Sequence, residues 1–190
     1  MKRQYIALMV IASASLFAVG IAPAAQDRFT LKTLNGIAFS EFKGYEAWQM
    51  IASSQPDDAS GCGSSPEPGC IKSILGNPLM IKAYSQGIPV NGESVPDGAA
   101  MAKIEWQKRR DPALPYGATV PGALMEVSFM LKDSKRFQDT NGWGYATFRY
   151  DAASDTWKAF GDSPTFAKTC HGCHTVVKTR DFVFTKYPKR

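Results

Sequence analysis

Five residues near the C-terminal end, Cys170-His171-Gly172-Cys173-His174, carry the most specific chemistry in the sequence. The C-x-x-C-H spacing attaches haem: two thiols add to the two vinyl groups of one porphyrin, and a short helical turn delivers the adjacent histidine to the iron from the same face. One covalent haem c is therefore expected on Cys170 and Cys173, with His174 as the iron ligand. A thioredoxin-like redox pair would need a βαβ setting that is missing here, and a zinc knuckle would need a second ligand pair. His171 is the one other histidine, and its place inside the attachment loop keeps it from reaching across the ring. A sixth ligand would have to be Met, Lys, Tyr or water, and no Met follows the motif. The sixth position is expected to be open, which points to small-molecule binding or chemistry at iron rather than electron relay alone.

The opening residues fit a compartment in which such attachment takes place. Lys2 and Arg3 precede an apolar run from Tyr5 to Ile21, and Ala22-Pro23-Ala24 supplies small residues for cleavage, so residues 1–24 read as a secretory signal peptide. Ser13, Ser15 and Gly20 interrupt the run, against the roughly 20 apolar residues of a membrane anchor. Periplasmic export is the expectation. Removing that segment takes the formal charge from +5 to +3. The remaining basic residues are dispersed, with a local cluster at Lys108, Arg109 and Arg110, and give no nucleic-acid surface. Cys62 and Cys70 close a Gly/Ser/Pro-rich loop over 56–69 and are expected to pair as a disulfide in an oxidising compartment.

The elements that must position this chemistry are mostly strands. A chain of 190 residues, 44% hydrophobic and 21% charged, suits one folded domain, here 25–190, with a real core. Gln26 to Ser40 has no sustained apolar period and reads as an extended surface arm. Phe42 to Ser53 reads as a short amphipathic helix entering a strand, and Ile71 to Leu75 as a strand. Asn77-Pro78 opens a helix, and Pro96-Asp97-Gly98 is a tight turn. Met101 to Gln107, Leu124 to Leu131 and Trp143 to Tyr150 read as strands, with Pro112 to Gly122 as a loop and Asp133-Ser134-Lys135 as a turn. The fold class is β-rich α+β: a curved antiparallel sheet with short flanking helices.

Three stretches resemble the cytochromes P-460 and their relatives, the cytochromes c′-beta: Lys132 to Phe137 followed by Asn141-Gly142-Trp143-Gly144-Tyr145; the haem motif followed by Asp181-Phe182-Val183-Phe184-Thr185; and Pro96-Asp97-Gly98 with a lysine five residues later. The resemblance spans Phe42 to Tyr187, with the Cys62 to Cys70 loop as an insertion. In P-460 members the lysine at that strand position is joined covalently to the porphyrin and supports hydroxylamine oxidation; in c′-beta members the place is apolar and the protein binds gases. Lys103 stands there in this chain. The resemblance thus implies a lysine–porphyrin cross-link at Lys103, although a strand lysine between inward-facing Ala102 and Ile104 would ordinarily point to solvent.

The same resemblance implies a distal arginine and carboxylate. Lys72 falls at the arginine position, which keeps the charge and loses the bidentate fork. Ser128 falls at the carboxylate position, with Glu126 two residues earlier on the same strand face; Glu126 reads equally as a proton-transfer base or as a solvated edge carboxylate. The implied function is oxidation of hydroxylamine or nitric oxide, with electrons passed to another periplasmic cytochrome and a homodimeric assembly. The alternatives are a non-enzymatic binder of nitric oxide or carbon monoxide, and a simple electron carrier.

Overall fold

A computed structural model describes residues 26–56, 62 and 69–189; the expected signal peptide and most of the 56–69 loop lie outside them. Six strands form one open antiparallel meander in chain order: β1 Gln49–Ser54, β2 Cys70–Gly76, β3 Ala100–Asp111, β4 Ala118–Lys132, β5 Trp143–Asp151 and β6 Thr156–Phe160. Two α-helices flank it, α1 Pro78–Ser85 between β2 and β3 and α2 Phe166–His174 after β6. The β-rich α+β class is the observed one.

Strict alternation along the central strands divides the sheet into two faces with different tasks. Ala100, Ala102 and Ile104 of β3, Val127, Phe129 and Leu131 of β4, and Ala146 and Phe148 of β5 point into the main apolar core. The residues between them, including Lys103, Ser128 and Thr147, line a cavity on the other face. A register slip of one residue would exchange the two sets.

The segment expected to be a surface arm instead closes the core. It contains 3-10 turns at Arg28–Thr30 and Phe39–Phe42 joined by a bridge from Lys32 to Ala38, and it buries Ile37 and Phe39 completely. The Phe39 ring meets Phe29, Tyr45, Phe129, Phe148 and Trp157, while Phe42 stacks on Phe129 at 3.9 Å. These contacts lie far apart in sequence, so no local period announces them. The helix expected after Phe42 is a single 3-10 turn, Tyr45–Ala47, leading into β1.

Two other boundaries move. β4 starts at Ala118, so Val120, Pro121 and Gly122 belong to a strand rather than a loop. Pro121 is accommodated where the pairing with β3 shifts register between Trp106 and Lys108, the irregularity that tolerates a missing amide donor. β6 was not legible as a strand, although Trp157 and Ala159 pack into the core. Elsewhere the turn chemistry holds. The Asn77 side chain accepts from the Met80 amide at 2.9 Å and from Ala100 N at 3.1 Å, capping α1 and tying it to the start of β3. Cys62 and Cys70 form the expected disulfide.

Candidate haem site

In a helix, positions three and four apart share a face. α2 therefore presents Cys170, Cys173 and His174 together, and all three line a cavity of about 640 Å³ against the sheet. His171 does not line the cavity. Its Nε2 is 3.0 Å from Asn141 Oδ1 and its Nδ1 is 3.1 Å from the Tyr145 hydroxyl; burial, reinforced by Lys132, lowers its pKa. With Oδ1 accepting from Nε2, Tyr145 donates to Nδ1, and both ring nitrogens are engaged.

His174 is arranged differently. Its Nδ1 lies 2.7 Å from the Phe182 carbonyl. A carbonyl only accepts, so Nδ1 carries the hydrogen and Nε2 keeps its lone pair, the form a metal requires. Burial also lowers the His174 pKa, against the opposing effect of that carbonyl. Burial raises the pKa of Cys170, with Lys103 opposing. A reactive C-x-x-C redox pair needs the opposite shift, because its thiolate is the nucleophile. Two thiols outside any disulfide and one imidazole with its outer nitrogen already satisfied fit a covalent haem.

The sheet wall of the cavity is built in rows of cross-strand partners. The row nearest His174 is apolar with one hydroxyl: Met101 pairs with Met130 and Met130 with Tyr145, whose ring centroid is 5.1 Å from that of His174. The next row runs Ile74, Lys103, Ser128, Thr147, Phe160. Beyond it comes a charged row, Lys72, Glu105, Glu126, Arg149, about 13 Å along the sheet from Tyr145 at the usual strand rise.

The charged groups are paired across the rows. Glu105 is completely buried and makes ion pairs with Lys103 and, at 3.6 Å, with Lys72. Glu126 lies 3.8 Å from Lys103 and 3.4 Å from Arg149, and accepts from Ser128 Oγ at 3.3 Å; Ser128 also meets Thr147 Oγ1 at 2.9 Å. Burial lowers the Lys72 pKa, reinforced by Lys103 and opposed by Glu105.

The structure thus brings Lys72, Lys103 and Glu126 to one cavity with Cys170, Cys173 and His174. Lys103 lines the cavity with its side chain 35% exposed, and Glu126 is a buried carboxylate on an interior strand rather than an edge group. Sequence reasoning missed Glu105, although its position two residues after Lys103 puts both on one strand face. It also missed Arg149, found only through pairing with Glu126. The Phe182 carbonyl has no signature in a side-chain pattern.

A family model described as Cytochrome P460 matches residues 42–185, well over half of the chain. No curated protein matches the sequence.

Proposed function

The chain belongs to the cytochrome P460 family, a mono-haem c-type cytochrome family, and from that premise we propose that it is a periplasmic oxidoreductase acting on hydroxylamine or nitric oxide. The observation that supports this reading is the place of Lys103 on the cavity wall, in a row between the apolar residues near His174 and the charged residues beyond. Haem held through Cys170, Cys173 and His174 would supply one-electron redox chemistry for a small nitrogenous molecule. Lys103 is the residue for a cross-link to the porphyrin. Glu126 Oε1, steadied by Ser128, takes a proton from the substrate, and the Lys72 ammonium orients its oxygen atom. Electrons leave to another periplasmic cytochrome, and the assembly is a homodimer.

A second reading, a non-enzymatic binder of nitric oxide or carbon monoxide, is favoured by one specific contact: the Lys103 ammonium is ion-paired to Glu105, and a paired ammonium is no nucleophile. Periplasm-derived protein distinguishes the two. The oxidoreductase reading expects a haem peptide whose mass includes Lys103 as well as both cysteines, a ferrous Soret band well to the red of ordinary haem c, and hydroxylamine turnover with an added oxidant. Lys103→Ala should restore an ordinary spectrum and abolish turnover while haem stays attached. A wild type with an ordinary five-coordinate spectrum, nitric oxide binding and no turnover would establish the gas-binding reading instead.

A further inference from the structure

A second buried ion pair lies outside the cavity, and it touches the backbone that holds both motif histidines. Lys132, the last residue of β4, and Asp181, just after the 3-10 turn Thr175–Arg180, are 6% and 9% exposed. Lys132 Nζ donates to both Asp181 carboxylate oxygens at 2.9 Å and to the Asn141 carbonyl at 3.0 Å. Asp181 Oδ2 also accepts from the Val95 amide at 2.8 Å. The acceptors of Lys132 stand at backbone corners in the left-handed region, with φ of 54° at Asn141, 44° at Asp181 and 64° at Phe182. Asn and Asp enter this region readily, whereas an aromatic residue such as Phe182 holds it where surrounding contacts over-determine it.

Each corner delivers an atom to one histidine. The Asp181–Phe182 corner turns the Phe182 carbonyl onto His174 Nδ1 at 2.7 Å, and the Asn141 corner turns its side chain onto His171 Nε2 at 3.0 Å. The Phe182 ring also lies 4.5 Å from the His171 ring. One ammonium therefore sits behind both contacts.

We propose that Lys132 is a positioning residue for His174: by clamping Asp181 and the Asn141 carbonyl, it fixes the Phe182 carbonyl against His174 Nδ1 and so sets the electron donation of His174 Nε2. A hydrogen bond from the outer ring nitrogen raises the basicity of the ligating one, which strengthens the iron bond and favours the ferric state. The inference rests on the haem reading, yet concerns side chains that do not line the haem cavity.

The test uses haem-loaded protein carrying Lys132→Met, Asp181→Asn or Lys132→Arg, with the ferrous iron–histidine stretch read by resonance Raman and the midpoint potential by titration. Both Lys132→Met and Asp181→Asn should lower the stretching frequency and raise the potential, and Lys132→Arg should recover most of the wild-type frequency. Charge acting through space alone would move the two potentials in opposite directions and leave the frequency unchanged, a result that overturns the proposal. Asp181→Asn keeps shape and an acceptor for Val95, so it carries the frequency test if Lys132→Met does not accumulate. Should wild type hold no haem, the haem reading fails, and the positioning is read from the nitrogen shifts of His174. A fixed Nδ1–H tautomer in wild type that begins to exchange in Lys132→Met supports it, and a tautomer fixed in both, or exchanging in both, overturns it.

Discussion

Lys103 and Glu105, two residues apart on β3, form an ion pair in which the carboxylate is completely buried and also faces Lys72 across β2 at 3.6 Å. One carboxylate thus answers two ammonium groups on the cavity wall. Glu105→Gln removes that charge, and breaking a buried pair on one side costs about 3–5 kcal/mol. The loss should be pH-dependent. The Lys72 pKa already lies below its usual value in the folded protein, chiefly through burial, with Glu105 opposing; without Glu105 it falls further. A lysine whose folded pKa is depressed destabilises the fold while charged, and stability returns as pH rises from the folded pKa toward the unfolded value of about 10.5. Urea titrations should therefore show the Glu105→Gln deficit shrinking as pH rises toward 10.5. A deficit constant over that range would contradict the shared-carboxylate account.

The contrast between β3 and the first described residues shows what the sequence could convey. In Ala100 to Glu105 the alternation is local, so the division into two faces follows from a period of two, while the register and the cavity that Lys103 lines came only with the paired strands. The C-x-x-C-H motif is equally local, because helix geometry alone puts Cys170, Cys173 and His174 on one face. Phe39 is the opposite case: its partners Phe129, Phe148 and Trp157 lie on three later strands, and nothing near it in sequence shows that it is covered. Pro121 misled for a related reason, since a proline reads as a loop until the register shift that admits it is seen. Glu105 was readable from its spacing to Lys103, whereas the Phe182 carbonyl became visible only with the turn that carries it.

Acid should weaken the clamp between the N-terminal segment and the turn after β4. Arg136 pairs with Glu41 and donates to the Gly36 carbonyl at 2.8 Å, while Glu41 accepts from the Ala38 amide at 2.8 Å. The hydrogen bond from Arg136 lowers the Glu41 pKa below its ordinary 4.5. For a carboxylate with a depressed folded pKa, the stabilisation is complete above the unfolded value and is lost as pH falls through the folded one. The pair is partly exposed, so Arg136→Met should cost only about 1 kcal/mol near neutrality. Denaturation at pH 7 and pH 3 should show that difference shrinking in acid, and an equal difference at both would exclude the clamp as its source.

Removing the Cys62–Cys70 disulfide should lower stability without releasing haem. The bond closes a short loop, with a sequence separation of 8, and restricting the unfolded chain by that much corresponds to about 2–3 kcal/mol. Cys70 begins β2, at the end of that strand away from the apolar row beside His174. The double variant Cys62→Ala with Cys70→Ala should therefore unfold at lower urea, with an unchanged haem spectrum and an intact haem peptide. Haem loss on mild reduction of wild type would show that the loop supports the site directly.

The N-terminal segment should prove essential to folding, and Phe39 is the residue on which this can be measured. Its ring is fully buried and contacts five other aromatic rings, at centroid distances from 4.6 to 6.1 Å. Truncation to alanine removes both the transfer energy of the ring and the contacts its neighbours cannot regain, so the expected cost is about 3–5 kcal/mol. Phe39→Leu keeps most of the volume and should cost well under half as much. An exposed arm would make both substitutions nearly silent, since surface changes stay within about 0.5 kcal/mol. The effect should also reach the cavity, because Phe129 and Phe148 flank the cavity-lining Ser128 and Thr147 in β4 and β5. Chemical denaturation gives the energies. Amide exchange should show β4 and β5 losing protection together in Phe39→Ala, whereas a loss confined to residues 26–42 would mean that the segment packs on the sheet without supporting it.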